Sequence, residues 1–421
     1  MSEWQETDFG RIPAHWTISN VQEETEYVTD YVANGSFASL AENVNYKNTP
    51  DYAVLIRLTD YNNGFKGDFV YVDEHAYNFL KKSKLKGGEI IISNVGAYSG
   101  TVFLAPKLGI PMTLGPNAVM MEFKDGNDFY FHWLKSPAGQ FSLEGIISGS
   151  AQPKFNKTSF RAMEIPVPPI EEQHAIASVL SSLDDKIDLL HRQNQTLEQM
   201  AETLFRQWFV EEADEDWEVV QLQDIAEVKN GFAFSSKSYV DFSPEHLEVL
   251  KMGHIKKGGG LRTDPKRDYA PREERLERYI LDKGDIVMAM TDMKDNVVIL
   301  GVPAMIDESD RYVLNQRVAR IYLKNRDSLI NEYLLYVQLK DPDFIAELQS
   351  KANSGVQVNL STASIKESEI LIPPMELQQE KGNSITDLYL KKEYNDKQIK
   401  SLTKLRDTLL PKLMSGEVRI R

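Results

Sequence analysis

The stretch "EIPVPPIEEQHAIASVLSSLDDKIDLL" (164–190) changes character at its double proline. Before Pro168 the chain alternates like a strand, and proline holds the residue before it extended. After Pro169 the apolar residues recur every three or four positions, the period of a helix face. Glu171 and Glu172 suit the positive end of a helix that starts there. The stretch "EILIPPMELQ" (369–378) repeats this joint, with Ile165 and Ile370 separated by 370 − 165 = 205 positions.

The same offset pairs Pro168 with Pro373, Gln173 with Gln378, Gln152 with Gln357 and Leu204 with Leu409. Upstream the offset drifts, but the order of features holds. "HWTISNV" around Trp16 answers "DWEVVQL" around Trp217, and "LGPNAVMMEF" (114–123) answers "LNQRVARIYL" (314–323). In the polar loop before the strand of this stretch, Asn117 is matched with Gln316, beside Arg317. The plan is globular unit, long helix, globular unit, long helix, with expected boundaries at 1–164, 165–212, 213–369 and 370–421. One duplication explains it better than a solenoid, whose periods are about 20–50 residues.

The first helix carries a seam at Ile176, Leu180, Leu183, Ile187, Leu190, Asn194, Leu197, Ala201, Leu204 and Trp208. This 4-and-3 spacing is the heptad pattern of a coiled coil, and one polar seam residue such as Asn194 fixes register. The second seam reads Ile385, Leu388, Lys392, Asn395, Ile399, Leu402, Arg406, Leu409 and Leu413, interrupted by Lys392 and Arg406. Pro411 is expected to disturb its last turn, and "SGEV" (415–418) to end it. Neither stripe can stay exposed. The expected solution is that the two helices pair antiparallel, with each packing on its own unit as the alternative. Each globular unit reads as mixed α/β. Strands are expected at 52–61, 89–95, 100–105 and 117–123, and a helix broken by Gly and Pro at 129–146, with 328–352 as its counterpart.

Several chemistries are excluded. Cysteine is absent, so disulfides, zinc–thiolate sites and cysteine nucleophiles are not available, which suits a cytoplasmic protein. No apolar run approaches the roughly 20 residues of a membrane span, and no signal peptide is visible in "MSEWQETDFGRIP". There is no GxSxG, Walker A loop or GxGxxG before a helix, and "KKGGGLR" (256–262) lacks the GK[ST] ending of a phosphate cradle. "VPPI" and "IPPM" resemble half of the (D/N/S)PP(Y/F/W) motif of amino-methyltransferases but lack its polar and aromatic residues. "PDFIAELQSK" places Glu347 and Lys351 four apart, against the two of a PD…ExK nuclease. No HxxxH or HExxH spacing occurs, and "DESD" (307–310), which could bind a cation, reads better as a solvated loop. The chain is therefore expected not to be an enzyme.

The net charge of −15 argues against a surface covered in phosphate contacts. Binding depends on local patches, however. One patch, 251–278, holds nine Lys/Arg against five Asp/Glu. Its candidate DNA contacts are Lys251, Lys256, Lys257, Arg262, Lys266 and Arg267. Polar residues at loop tips are the other candidates, because base reading uses Arg, Lys, Asn, Gln, Ser or Thr on fixed elements. In the first unit these are Arg57, Ser93, Asn94, Tyr98, Asn117, Gln152, Lys154, Asn156 and Lys157. In the second they are Lys294, Gln316, Arg317, Gln357 and Asn359. Ordinary turn chemistry is the competing explanation of such loops.

These features resemble the DNA-specificity subunit of type I restriction–modification systems. The resemblance rests on "IPVPPIEEQHAIASVLSSLDDKIDLLHRQNQTLEQMAETLFRQWFV" (165–210) and "LRDTLLPKLMSGEVRI" (405–420), with "KGGEII" and "GSAQPKFNK" in the first unit. It implies two target-recognition domains, each reading one half of a bipartite double-stranded DNA site. It also implies a helix pair that sets the spacer and docks two methyltransferase subunits, with restriction subunits joining them. No cofactor is then expected on this chain, and S-adenosylmethionine belongs to the partner methyltransferase. A two-headed protein-binding adaptor with a coiled-coil spacer is the alternative.

Overall fold

The structure is a computed structural model that describes every residue except 1–2, 294–296, 330, 355–356 and 421. The chain forms two compact units. One comprises Met1–Asp188 with Lys400–Arg421, and the other Leu189–Ile399.

Both units are built on one plan. In the first, an antiparallel sheet has the order Thr25–Asp30, Ala118–Phe123, Ile90–Ser93, Val102–Leu104. Beside it in the chain's plan, Val70–Val72 pairs with Ala53–Ile56, which runs parallel to Met112–Leu114. In the second, the order is Ala226–Asn230, Val318–Leu323, Ile286–Ala289, Pro303–Met305. Tyr269–Ala270 pairs with Leu247–Leu250, which again runs parallel to Tyr312–Leu314. The order and polarity of the strands are the same, so the sequence repeat is a repeat of topology.

Register corrects one detail of the alignment. Ser93 pairs with Ala118, and Ala289 pairs with Val318. Asn117 therefore corresponds to Arg317, not Gln316. A second correction concerns 52–61. The strand stops at Ile56 and the helix Leu58–Asn62 follows. The reason is local: the Asp60 carboxylate accepts from the Arg57 backbone N–H at 2.8 Å and from its guanidinium at 2.7 and 3.0 Å, which winds the chain. The helix expected at 129–146 is two helices, Asn127–Lys135 and Pro137–Ile146, divided at Ser136. Gly139 does not break the second. It lets the helices touch, since a Cβ there would lie 2.1 Å from the Trp133 carbonyl oxygen.

The double-proline joint is the same in both units. Glu164–Val167 pairs with Thr17–Asn20, and Glu369–Ile372 with Glu218–Gln221. Proline offers no N–H to extend the ladder. The next turn is closed by a glutamine: Gln173 Nε2 donates to the Pro168 carbonyl at 2.9 Å, and Gln378 Nε2 to the Pro373 carbonyl at 2.7 Å. Both glutamines are buried, which explains their identical placement in the repeat. In the first unit Glu172 adds an anchor, accepting from Trp16 Nε1 at 3.0 Å and lying 2.7 Å from His15 Nε2.

The long helices are Ile170–Arg206, which continues as a π-turn over Gln207–Glu211, and Asn383–Met414, preceded by a π-turn over Gln378–Gly382. Within each unit they pack antiparallel. In the first unit Ile176 and Leu180 share a core with Leu413 and Met414, and Asp184 binds Arg406 at 2.9 Å. In the second, Asn194 meets Asn395 at 2.9 Å and Asp396 at 2.7 Å, and Glu198 faces Lys392 at 3.7 Å. Lys392 and Arg406 thus do not break the seam, because acids on the first helix match them. Ile187, Leu190 and Ile385 are buried; Leu183, Leu197, Leu204, Leu388, Ile399, Leu402 and Leu409 are half-buried. After Ala201 the buried face moves from Leu204 and Trp208 to Phe205 and Phe209, which enter the core with Leu222 and Ile225. The helix also runs straight through Pro411 to Met414. The expected disturbance is absent; the cost there is one hydrogen-bond donor.

A pH dependence follows from the first unit. His132 is buried, with Nε2 3.0 Å from Ser181 Oγ and Nδ1 3.9 Å from Asp184. Burial pushes its pKa down to about 4, against the opposing pull of Asp184. An unfolded histidine titrates near 6.5. Between these values the folded state binds fewer protons, so stability falls as pH drops from 6.5 toward 4. Between pH 7 and pH 5 the expected loss from this residue is roughly 2 kcal/mol. Urea unfolding of the first unit at the two pH values measures it, and His132→Gln should remove most of the difference.

Candidate nucleic-acid interface

In the first unit, loop tips are tied into one ledge. The Asn94 N–H donates to the Asn117 carbonyl at 3.1 Å, and the Phe155 N–H to the Asn94 carbonyl at 3.2 Å. Gly96 N–H reaches the Pro153 carbonyl at 2.8 Å, and Val95 bridges Lys154. Asn117 is exposed and left-handed at φ +65°, a conformation asparagine tolerates better than most side chains. Tyr98, 67% exposed, and Gln152 and Lys154, both exposed, belong to the same tied loops.

The other candidates of this unit have structural duties. Ser93 is 2% exposed, in a strand buried on both faces, so its side chain is out of reach of a ligand. Asn156 caps the helix Lys157–Arg161, accepting from Ser159 N–H at 2.9 Å. Lys157 binds Asp30 at 2.7 Å, and Arg57 is held by Asp60.

The second unit repeats the ledge. The Met290 N–H donates to the Arg317 carbonyl at 3.0 Å, and the Leu360 N–H to the Met290 carbonyl at 2.8 Å. The loop contact has grown into a strand pair, Thr291–Met293 with Gln357–Asn359. Ser361 caps a short helix as Asn156 does. Gln316, Arg317 and Asn359 are exposed, and Thr291 Oγ1 donates to Asn359 Oδ1 at 3.2 Å. Lys294 lies outside the described residues, as does the side chain of Gln357. Asp292 is buried and closes its own loop by accepting from Val298 and Ile299 N–H.

Between Ile255 and Arg267 the chain is a loop with five cations (Lys256, Lys257, Arg262, Lys266, Arg267) against Asp264 alone. All five are exposed. Lys257 and Lys266 have no ion-pair partner among the described residues. Arg262 Nε donates to the Ile255 carbonyl at 3.3 Å, leaving the rest of its guanidinium outward. Lys251 is spoken for: its ammonium meets Asp268 at 2.5 Å and lies 3.9 Å from the centre of the Tyr239 ring. Arg267 Nε is 3.3 Å from Glu248. Glu248, 5% exposed, anchors the loop's base, also meeting His254 and Arg311 at 3.1 Å. Burial raises the Glu248 pKa, but these bonds outweigh it and hold the carboxyl below its ordinary value. Sequence reading missed Glu248 and Arg311, because 63 positions separate them and only the fold brings them together.

The described residues hold no group of three or more metal-ligating side chains. Ser181, His132 and Asp184 stand in the order of a catalytic triad. The 3.9 Å between His132 and Asp184 is too long for a hydrogen bond, and all three serve helix packing.

Two stretches, residues 30–199 and 214–404, match the family described as the type I restriction modification DNA specificity domain. The chain belongs to this family. Each matched stretch contains one ledge and most of one long helix, so the specificity domain is the unit that was duplicated. The specificity chain is 25% identical to the type I restriction enzyme MjaIX specificity subunit of Methanocaldococcus jannaschii, covering all of this chain and 97% of that one. It is 23% identical to the HindI specificity subunit of Haemophilus influenzae, over 63% of this chain and 71% of that one. The crystal structure of a type I restriction-modification system S subunit from M. genitalium shares the fold, with a TM-score of 0.55 at 18% identity over 94% of this chain and 96% of that one. No helix among the described residues is long and apolar enough to cross a membrane.

Proposed function

We propose that this chain is the DNA-recognition subunit of a type I restriction–modification complex, and that each repeat reads one half of a bipartite site. Residues 1–164 and 213–369 are the target-recognition domains, and 165–212 and 370–421 the spacer helices. One observation carries the reading: the two ledges share a backbone but present different tips. Asn117 stands where Arg317 stands in the second copy, and Lys154 where Asn359 stands. Asparagine suits the paired donor and acceptor of adenine, and arginine the two acceptors of guanine. Two different half-sites, hence an asymmetric target, follow from such a pair.

The helix pair sets the unread spacer and docks two methyltransferase subunits, which carry S-adenosylmethionine; restriction subunits join that assembly. This chain binds no cofactor of its own and works in the cytoplasm. Its net charge of −15 leaves much of the phosphate neutralisation to the partners. The reading is tested by adding modification subunits to the chain. Weak DNA binding should become specific and salt-dependent, and methylation should fall at a bipartite site.

A further inference from the structure

The glycine loop of the second unit is fastened to the first long helix by side chains that DNA reading does not require. Gly258, Gly259 and Gly260 all have left-handed backbones, at φ +79°, +98° and +83°. Gly259 packs so closely that a Cβ would lie 2.8 Å from Lys340 Cε and 3.3 Å from the Pro303 carbonyl oxygen. Gly260 N–H donates to that same carbonyl at 3.0 Å. Lys340 is therefore the floor of the loop. Its side chain is only 4% exposed, and its ammonium reaches Glu202 on the helix Ile170–Arg206 at 2.5 Å.

One turn earlier on that helix, Glu198 lies 3.9 Å from Lys256, at the start of the same loop. Glu198 also faces Lys392, which binds Asp396 at 2.9 Å, and Asp396 accepts from Asn194 at 2.7 Å. A continuous polar path thus runs from the basic loop into the polar layer of the helix pair. A buried lysine is costly to hold unless paired, and a surface loop needs no such lysine to carry cations to a phosphate backbone.

We infer that Lys340, through Glu202, is a positioning residue for DNA recognition: it locks the cation-bearing loop to the spacer helix, and so makes the complex stringent for spacer length. The inference rests on the proposed function, in which this loop follows the DNA and the helices measure the gap. A loop fixed to the helix tolerates one separation of half-sites. A loop with slack accepts its neighbours.

The test uses the full chain assembled with its modification subunits. Duplexes carry the recognised site with the native spacer or with one base pair added or removed. The variants are Lys340→Met, which keeps the packing volume, and Glu202→Gln, at a side chain 42% exposed, which keeps its size and an amide oxygen for Lys340 but removes the charge. Discrimination against the altered spacers should fall about tenfold in both variants. Affinity for the native spacer should stay within about threefold, and the double variant should do no more than either single one, as expected of a coupled pair. An unchanged spacer profile with binding intact overturns the inference, and so does uniform weakening at every spacer, the signature of a purely structural role. If the unaltered complex recognises no bipartite site, the functional reading itself has failed, and the two failures are told apart by that control.

Discussion

Replacing Asn194 alone with leucine is expected to destabilise the helix pair by roughly 2–4 kcal/mol, the cost of stranding a buried polar partner. Asn395, fully buried, loses the acceptor of its amide, and Asp396 loses a donor. Replacing Asn194 and Asn395 together should cost far less than the sum, because two apolar residues of similar shape leave no buried amide behind. The double variant should pay in another way. With the asparagine pair gone, register rests on the Glu198–Lys392 and Asp184–Arg406 ion pairs, a weaker restraint than a buried polar seam residue. Urea midpoints of the four chains of the cycle measure the coupling, and additive costs would show that the two asparagines do not act as a pair.

Removing the outward cations of the basic loop is expected to have the larger effect on function. Lys257, Arg262 and Lys266 point outward without structural ion pairs, whereas Lys251 and Arg267 are engaged with Asp268 and Glu248. If each meets a phosphate, changing all three to alanine removes about 0.9 counter-ion per contact from the salt dependence, or about 2.7 units of slope in total. At about 0.1 M salt that corresponds to a loss on the order of 10²- to 10³-fold in affinity, equal for all DNA sequences. Anisotropy titrations of the assembled complex across salt concentrations give the slope. A slope that does not move places the loop away from the duplex.

The contrast between these cations marks how far the sequence could be read. Features that depend on neighbours in the chain were legible. The double proline, Gln173 and Gln378, the helical seam and Asn194 are all local patterns, and the structure places them as the spacing implies up to Ala201. The antiparallel pairing followed too, because two apolar stripes within one chain must find cover. Features set by long-range contact were not legible. Ser93 looks like a polar tip, but it sits in a strand with both faces covered. Lys251 looks like its neighbour Lys257 until Asp268 is brought to it. Phe205 and Phe209 lie one position off the heptad and are buried because the second unit's sheet core reaches them. Matching Asn117 to Gln316 is off by one residue: strand pairing makes Asn117 equivalent to Arg317, the partner that the in-step stretches 114–123 and 314–323 also give.

The central claim is that two unlike reading surfaces on one chain specify two halves of one DNA site. Sequencing-based mapping of adenine methylation on random DNA, after treatment with this chain and its modification subunits, tests it most directly. The account predicts one asymmetric motif: two short specified halves separated by a gap of fixed length and indifferent sequence. A short continuous motif, or methylation by this chain without its partners, would contradict it.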